Sequence, residues 1–349
     1  MQRRESLPRV WPMTMAADLL RDPEWLAHRY VESDDAFRFL RLERKAHEAA
    51  PFLTDDYLGS CAQGGDVAAE QCLGLTGDVP LHFLFHSAFC GSTLLVRALD
   101  VAGVSMGLSE PQVLNDVVGF RRRGADPRAV ARMADIATRL IGRPFGQGEA
   151  VIVKPSNVVN PLAPLLMALR PKAQAVFLHA PLETFLVSVA NKGLHCRIWV
   201  RELLAGYLRE GVAEGMGFTA EDHFLHSDLQ VAAIGWLAQH RLFAALAERV
   251  GPRLASLDAD RMIADPQTAI AAVAAHYGLS LDPAAVAAKA NFSRHSKSGD
   301  SYSAERRAED YARVRAAHGE EIGMVASWAE AVAKAAGIGL AAPNSLVQA

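Results

Sequence analysis

The 349-residue chain has little cysteine, few aromatic residues and almost no net charge, and each shortage removes a class of protein. Four cysteines, Cys61, Cys72, Cys90 and Cys196, show neither CxxC spacing nor the density of a secreted disulfide framework, so structural zinc and a disulfide scaffold are both unexpected. Lys and Arg number 36 against 39 Asp and Glu, a formal charge of −3 that argues against a strongly basic nucleic-acid binder. No uncharged apolar run approaches the roughly 20 residues that span a bilayer. The first residues, MQRRESLPRVWPM, are basic but lack the apolar core and small-residue cleavage site of a signal peptide. No internal repeat is visible. The chain therefore reads as a soluble cytoplasmic protein, and its alanine-rich composition as bacterial.

What is present is apolar bulk, 50% of residues, enough for one α/β domain with helical additions. The pattern pivots on Leu81 to Asp100, LHFLFHSAFCGSTLLVRALD. An apolar run from Leu81 to Phe85 predicts a buried strand, and Leu94, Leu95, Ala98 and Leu99 then recur at helical spacing. Between them lies a loop in which Gly91 lets backbone approach a ligand. Ser92 and Thr93 follow it at a helix start, where amides and the helix dipole favour an anion. Cys90, Gly91, Ser92, Thr93 and Leu94 thus outline a phosphate cradle. The Walker pattern is missing: no glycine stands five residues before Gly91, and Ser92 occupies the place of its lysine.

Further strands are predicted at Ala150 to Val153, Ala175 to Leu178 and Leu254 to Leu257, separated by helices, which implies βα units and a mainly parallel sheet. The predicted fold class is α/β, a three-layer P-loop-type fold. Residues 1–79 read as a mostly helical leader without strands, with helices at Ala16 to Leu20, Trp25 to Tyr30 and Asp35 to Ala49 and a small one near Val67 to Leu73. Residues 80–340 read as the α/β domain, with a helical insertion around 195–250. Residues 341–349 read as a flexible tail. Gly103 to Pro111 is expected to be turn-rich. Ligands of such sheets sit beyond the carboxyl ends of the strands. That rule nominates His86 to Thr93, Lys154 to Asn157, His179 to Ser188 and Asp258 to Arg261.

The segment Cys90-Gly91-Ser92-Thr93-Leu94-Leu95 resembles the phosphosulfate loop of sulfotransferases, in which [RK]-x-G-[ST]-T replaces the Walker lysine pattern. The resemblance extends from about Leu81 to about Tyr302. It implies a donor, 3′-phosphoadenosine 5′-phosphosulfate (PAPS), whose sulfuryl group passes to a hydroxyl or amine of a small-molecule acceptor, with no metal. Where family members carry Lys or Arg two residues before the loop glycine, this sequence has Phe89. By the same resemblance Lys154 corresponds to the lysine of a Lys-Thr-His segment that contacts the sulfate. That segment is Lys154-Pro155-Ser156 here, without the histidine. Glu110 then corresponds to an acidic residue proposed as base in bacterial carbohydrate sulfotransferases, and His86 is a second candidate. The 3′-phosphate site, R-[DN]-P-x-x-x-x-x-S, aligns by its proline with His179-Ala180-Pro181, putting His179 in the arginine position and Ser188 one residue late. Arg294 and Lys297 resemble the C-terminal basic loop that wraps the same phosphate.

Lys192, Arg197 and Arg201 around Trp199 either frame an acceptor cleft or belong to a helical subdomain, while Asp258, Asp260 and Asp265 read as structural. Two other classes stay open: an ATP-dependent P-loop phosphotransferase, and a degenerate nucleotide-binding protein without catalysis. Nothing in the sequence fixes the acceptor or the oligomeric state.

Overall fold

A computed structural model describes residues 13–59, 64–74, 81–290 and 304–347. Five strands form the main sheet: β4 (Leu81–His86), β5 (Ser105–Ser109), β6 (Ala150–Lys154), β7 (Ala175–His179) and β8 (Leu254–Asp258), in the order β5-β6-β4-β7-β8. The pairs β5/β6, β4/β7 and β7/β8 are parallel. Every residue of β4, β6 and β7 is buried, the signature of parallel strands covered on both faces. The chain leaves β4 to build one side of the sheet and later returns to build the other. The loop after β4 therefore stands at the topological switch point, where open α/β sheets bind ligands.

Four of these strands fall where the apolar runs predicted them. The fifth, β5, corrects the expectation of a turn-rich stretch. Its sequence, SMGLS, has a central glycine and no β-branched residue, so it carries no strand signal of its own. Pairing with β6, from Ser105↔Ala150 to Ser109↔Lys154, supplies what propensity does not.

The leader is also corrected. It contains an antiparallel sheet in the order β1-β2-β3, formed by β1 (Trp25–Val31), β2 (Ala36–Arg41) and β3 (Gly64–Ala68). Phe37 and Phe39 are fully buried while Arg38 is exposed, an alternation of period two that suits a strand rather than the helix expected there. Asp35, in the left-handed region at φ 42°, turns the chain so that Val31 faces Ala36. The stretch expected as a helix near Val67 is strand up to Ala68, followed by one helical turn, Ala69–Cys72.

By internal contacts the chain divides into two compact units, Met1–His82 with Leu99–Ala173, and Phe83–Ala98 with Gln174–Ala349. In the first, the leader joins the body through Arg29, whose guanidinium grips Asp116 of the helix Gln112–Arg122 by Nε to Oδ2 at 2.8 Å and Nη2 to Oδ1 at 3.0 Å. Arg143 donates to the carbonyls of Leu19, Leu20, Asp22 and Trp25. In the second unit, helices Gly193–Arg209, Asp222–Leu225 and Asp228–Val250 fill the stretch between β7 and β8. The long helix that the pattern predicts over His223 to Val250 is interrupted at Ser227, which forms a capping box with Gln230. The expected flexible tail is corrected as far as Val347. Ser256 N donates to Asn344 O at 3.0 Å, Leu346 N donates to Ser256 O at 2.9 Å, and Arg261 Nη1 reaches Val347 O at 2.9 Å.

Buried histidines give this fold a pH dependence. Burial, with Arg44 nearby, pushes His47 from its ordinary 6.5 down to about 4. Burial and then His179 hold His240 well below the ordinary value, and burial also lowers His179. Each imidazole takes a proton in the unfolded chain before it does so in the folded one, so stability is full above about pH 6.5 and falls as the pH drops toward 4. The shift at His47 corresponds to about 3 kcal/mol at full protonation of the unfolded chain. Asp100 works the other way, because burial raises it to about 6 and its cost is relieved on acidification. Urea midpoints are expected to fall between pH 7 and pH 4.5, with a shallower fall in His47→Leu. A midpoint that is flat over this range, or equally steep in the variant, would contradict the assignment.

Candidate functional site

The loop beyond β4 is shaped by its backbone. Ala88 at φ 74°, Phe89 at φ 52° and Gly91 at φ 76° all lie in the left-handed region, two of them with side chains that disfavour it. Such conformations bend the chain tightly between the strand and the helix that follows. The helix Ser92–Ala98 follows directly, its ladder engaged from Leu95 N to Gly91 O at 3.1 Å. Its leading amides, at Ser92, Thr93 and Leu94, belong to the first turn, where no intrahelical acceptor exists. The loop is held from behind by Ser87, which is fully buried. Ser87 N donates to Leu178 O at 3.1 Å and Ser87 Oγ accepts from Ala180 N at 3.2 Å, tying the end of β4 to the end of β7.

His86 belongs to this scaffold. Its Nδ1 accepts the Ala88 amide at 3.1 Å, which places the proton of the neutral ring on Nε2 and commits the nitrogen a general base would use. Gly91 suits the left-handed conformation, and a Cβ there would also sit tightly, 3.0 Å from Met262 Cε.

Phe89, where the resemblance expects a cation, packs against Phe185 and Trp199 with ring centroids 5.8 and 5.4 Å away. Lys192 Nζ lies 5.6 Å from the same ring, so a cation reaches this position from the next helix junction. Trp199 and Lys192, two of the residues read as framing a cleft, thus meet on the loop residue itself. Arg197 and Arg201 instead bind Asp228.

At the end of β7, His179 is buried, its ring 5.0 Å from that of His240, and His240 stacks on Trp236 at 3.5 Å. The Nδ1 atom of His179 and both ring nitrogens of His240 have no hydrogen-bond partner among the described residues. Trp236 Nε1 donates to Ala180 O at 2.9 Å and fixes the turn. Burial keeps His179 neutral, against the opposing pull of Asp258 and Asp260. A neutral imidazole is a weaker phosphate ligand than a guanidinium fork. Ser188 Oγ is 2.8 Å from Tyr311 OH, a partner 123 residues away that no local pattern announces. Arg294 and Lys297 lie outside the described residues. Asp258 and Asp265 cap helices, and Asp260 accepts from Thr184 Oγ1 at 2.7 Å.

In the other unit, Lys154 closes β6 and Glu110 follows β5. Glu110 N donates to Lys154 O at 2.7 Å, extending the parallel ladder by one bond, and Lys154 Nζ donates to Glu110 Oε1 at 2.5 Å. Lys154 is 0% exposed and Glu110 20%, so the ammonium is closed off and the carboxylate retains access to solvent. Glu110 is held at φ 51°, so a residue with a side chain takes the left-handed conformation after this strand as well. Strain of this kind concentrates at functional sites. Among the described residues no cluster of three or more His, Cys, Asp or Glu side chains is suited to a metal ion. No described helix is long and apolar enough to cross a membrane.

No protein-family model and no curated protein matches the sequence. Among solved structures, the chain is similar to the sulfotransferase domain from the Synechococcus PCC 7002 olefin synthase, with 13% identity, TM-score 0.40, 64% of this chain and 82% of that one covered. It is similar to the sulfotransferase domain from the curacin biosynthetic pathway, with 11% identity, TM-score 0.37 and 62% and 78% covered. It is also similar to the sulfotransferase STF1 from Mycobacterium tuberculosis H37Rv, with 18% identity, TM-score 0.38 and 70% and 78% covered.

Proposed function

We infer that the protein is a sulfotransferase that moves a sulfuryl group from PAPS to a hydroxyl or amine of a small acceptor. The observation that carries this reading is the left-handed bend at Ala88, Phe89 and Gly91 directly after the central strand, which leads into the helix start at Ser92 without the Walker lysine. Loop amides from Cys90 to Leu94 would hold the 5′-phosphate of the donor, with the hydroxyls of Ser92 and Thr93. The reaction is an in-line displacement. The acceptor oxygen or nitrogen bonds to sulfur, the bond from sulfur to the phosphate oxygen breaks, and that oxygen leaves with the electron pair.

Glu110 would take the acceptor proton. Its charge is then lost, and the Lys154 ammonium, compensated by Glu110 before the proton moves, becomes available to the charge developing on the leaving oxygen. The pair would thus couple deprotonation of the acceptor to stabilisation of the leaving group. His179, Ser188, Arg294 and Lys297 are assigned to the 3′-phosphate side. The neutral His179 is the feature that favours a second reading, a nucleotide-binding protein without selectivity for that phosphate.

Incubation with radiolabelled PAPS and a panel of phenols, sugars, lipids and amines tests the activity. Label transferred to an acceptor supports it. Transfer of the γ-phosphoryl group of ATP instead would replace it with the phosphotransferase reading, and no transfer from either donor would leave only a binder.

A further inference from the structure

We propose that Phe52 and Leu53 are positioning residues for the Glu110 and Lys154 pair, and that the leader thereby completes the catalytic centre assigned to that pair. The inference rests on the sulfuryl-transfer reading for its effect on rate, but its geometry stands alone. Leu53 N donates to Ser109 O at 2.8 Å, and Leu53 O accepts from Gln112 N at 3.0 Å. One residue of the leader therefore clips the chain on both sides of Glu110, which is held at φ 51°. Leu53 is itself 1% exposed, so the clip is anchored in the core.

Phe52 acts on the other partner. Lys154 Nζ lies 5.0 Å from the centre of its ring, within the roughly 6 Å over which an aromatic face attracts a cation. The same ring meets Tyr57 edge-on at 5.6 Å, and Tyr57 is 47% exposed. Phe52 is thus the lid on the ammonium, while Glu110 keeps its approach. A closed cation beside an open carboxylate is the asymmetry that the proposed proton transfer needs, because water at Lys154 would screen its charge from the leaving oxygen.

Two variants separate this role from bulk packing. Phe52→Leu keeps an apolar side chain and removes the aromatic face, and Phe52→Tyr keeps the face. The expected result is a fall in kcat of about tenfold in Phe52→Leu, the size of a desolvated cation–π contact. The KM for the donor nucleotide stays unchanged, and kcat in Phe52→Tyr stays within about twofold of the wild type. Independently of any activity, reductive methylation of Lys154, read by peptide mass, should be slow in the wild type and in Phe52→Tyr and about fivefold or more faster in Phe52→Leu. Wild-type kcat together with wild-type labelling in Phe52→Leu overturns the proposal. If the wild type transfers no sulfuryl group, the function assigned above fails, and the labelling result alone decides whether Phe52 closes off the ammonium.

Discussion

Lys154→Met is expected to lower turnover by about 10²- to 10³-fold, the usual cost of removing a preorganised group that stabilises transition-state charge, while donor-nucleotide affinity changes by less than about threefold. The direction follows from burial. Lys154 is fully enclosed and its ammonium bonds Glu110 at 2.5 Å, so methionine fills the volume and removes only the charge. Breaking a fully buried ion pair costs roughly 3–5 kcal/mol. The loss here should be smaller, since Glu110 is 20% exposed and so already partly solvated. Glu110→Gln should also lower turnover by about 10²-fold or more with nucleotide binding intact. The double variant should be little worse than either single one, because the two groups act as a unit. Wild-type turnover in Lys154→Met, measured with saturating donor and acceptor, would show that the cation of the reaction lies elsewhere.

Gly91→Val is expected to weaken donor-nucleotide binding by about 100-fold or more without unfolding the protein. A β-branched residue at φ 76° is strained by about 1–2 kcal/mol or more, and its Cβ would press on Met262 Cε at 3.0 Å. Met262 is fully buried and its methyl can give only a little, so the strain of the positive φ falls on the loop. Moving the loop would turn the amides of Ser92 and Thr93 away from a phosphate. Calorimetric titration with the desulfated nucleotide, alongside a thermal melt, separates the two effects. Unchanged affinity in a folded Gly91→Val would remove this loop from the binding site.

The sequence made the central strands legible because they are continuous apolar runs ending in small polar residues, and β4, β6, β7 and β8 lie where those runs do. It did not show β5, whose residues SMGLS owe their strand to β6. Nor did helix spacing anticipate the leader sheet, in which only Phe37, Arg38 and Phe39 of β2 alternate at period two, while β1 runs buried through Leu26, Ala27 and His28 with a register shift, over segments of only six or seven residues. Among the candidate residues, Gly91 and Lys154 are nominated by their places after predicted strands, whereas Glu110 comes only from the family resemblance, because β5 carries no strand signal. The pairing of Lys154 with Glu110 spans 44 residues, and Phe52 and Leu53 join it from the leader. Such partners come from topology, which spacing along the chain does not encode. His86, nominated by its position after the predicted strand, also accepts the Ala88 amide at 3.1 Å, a bond that no spacing along the chain announces.

The most direct test of the account is calorimetric titration of the full chain with 3′-phosphoadenosine 5′-phosphate, against ATP with magnesium, in the wild type and in Gly91→Val. The account predicts one saturable site that prefers the 3′-phosphorylated nucleotide and is lost in the variant. No binding, or binding that favours ATP and survives at Gly91→Val, would contradict it.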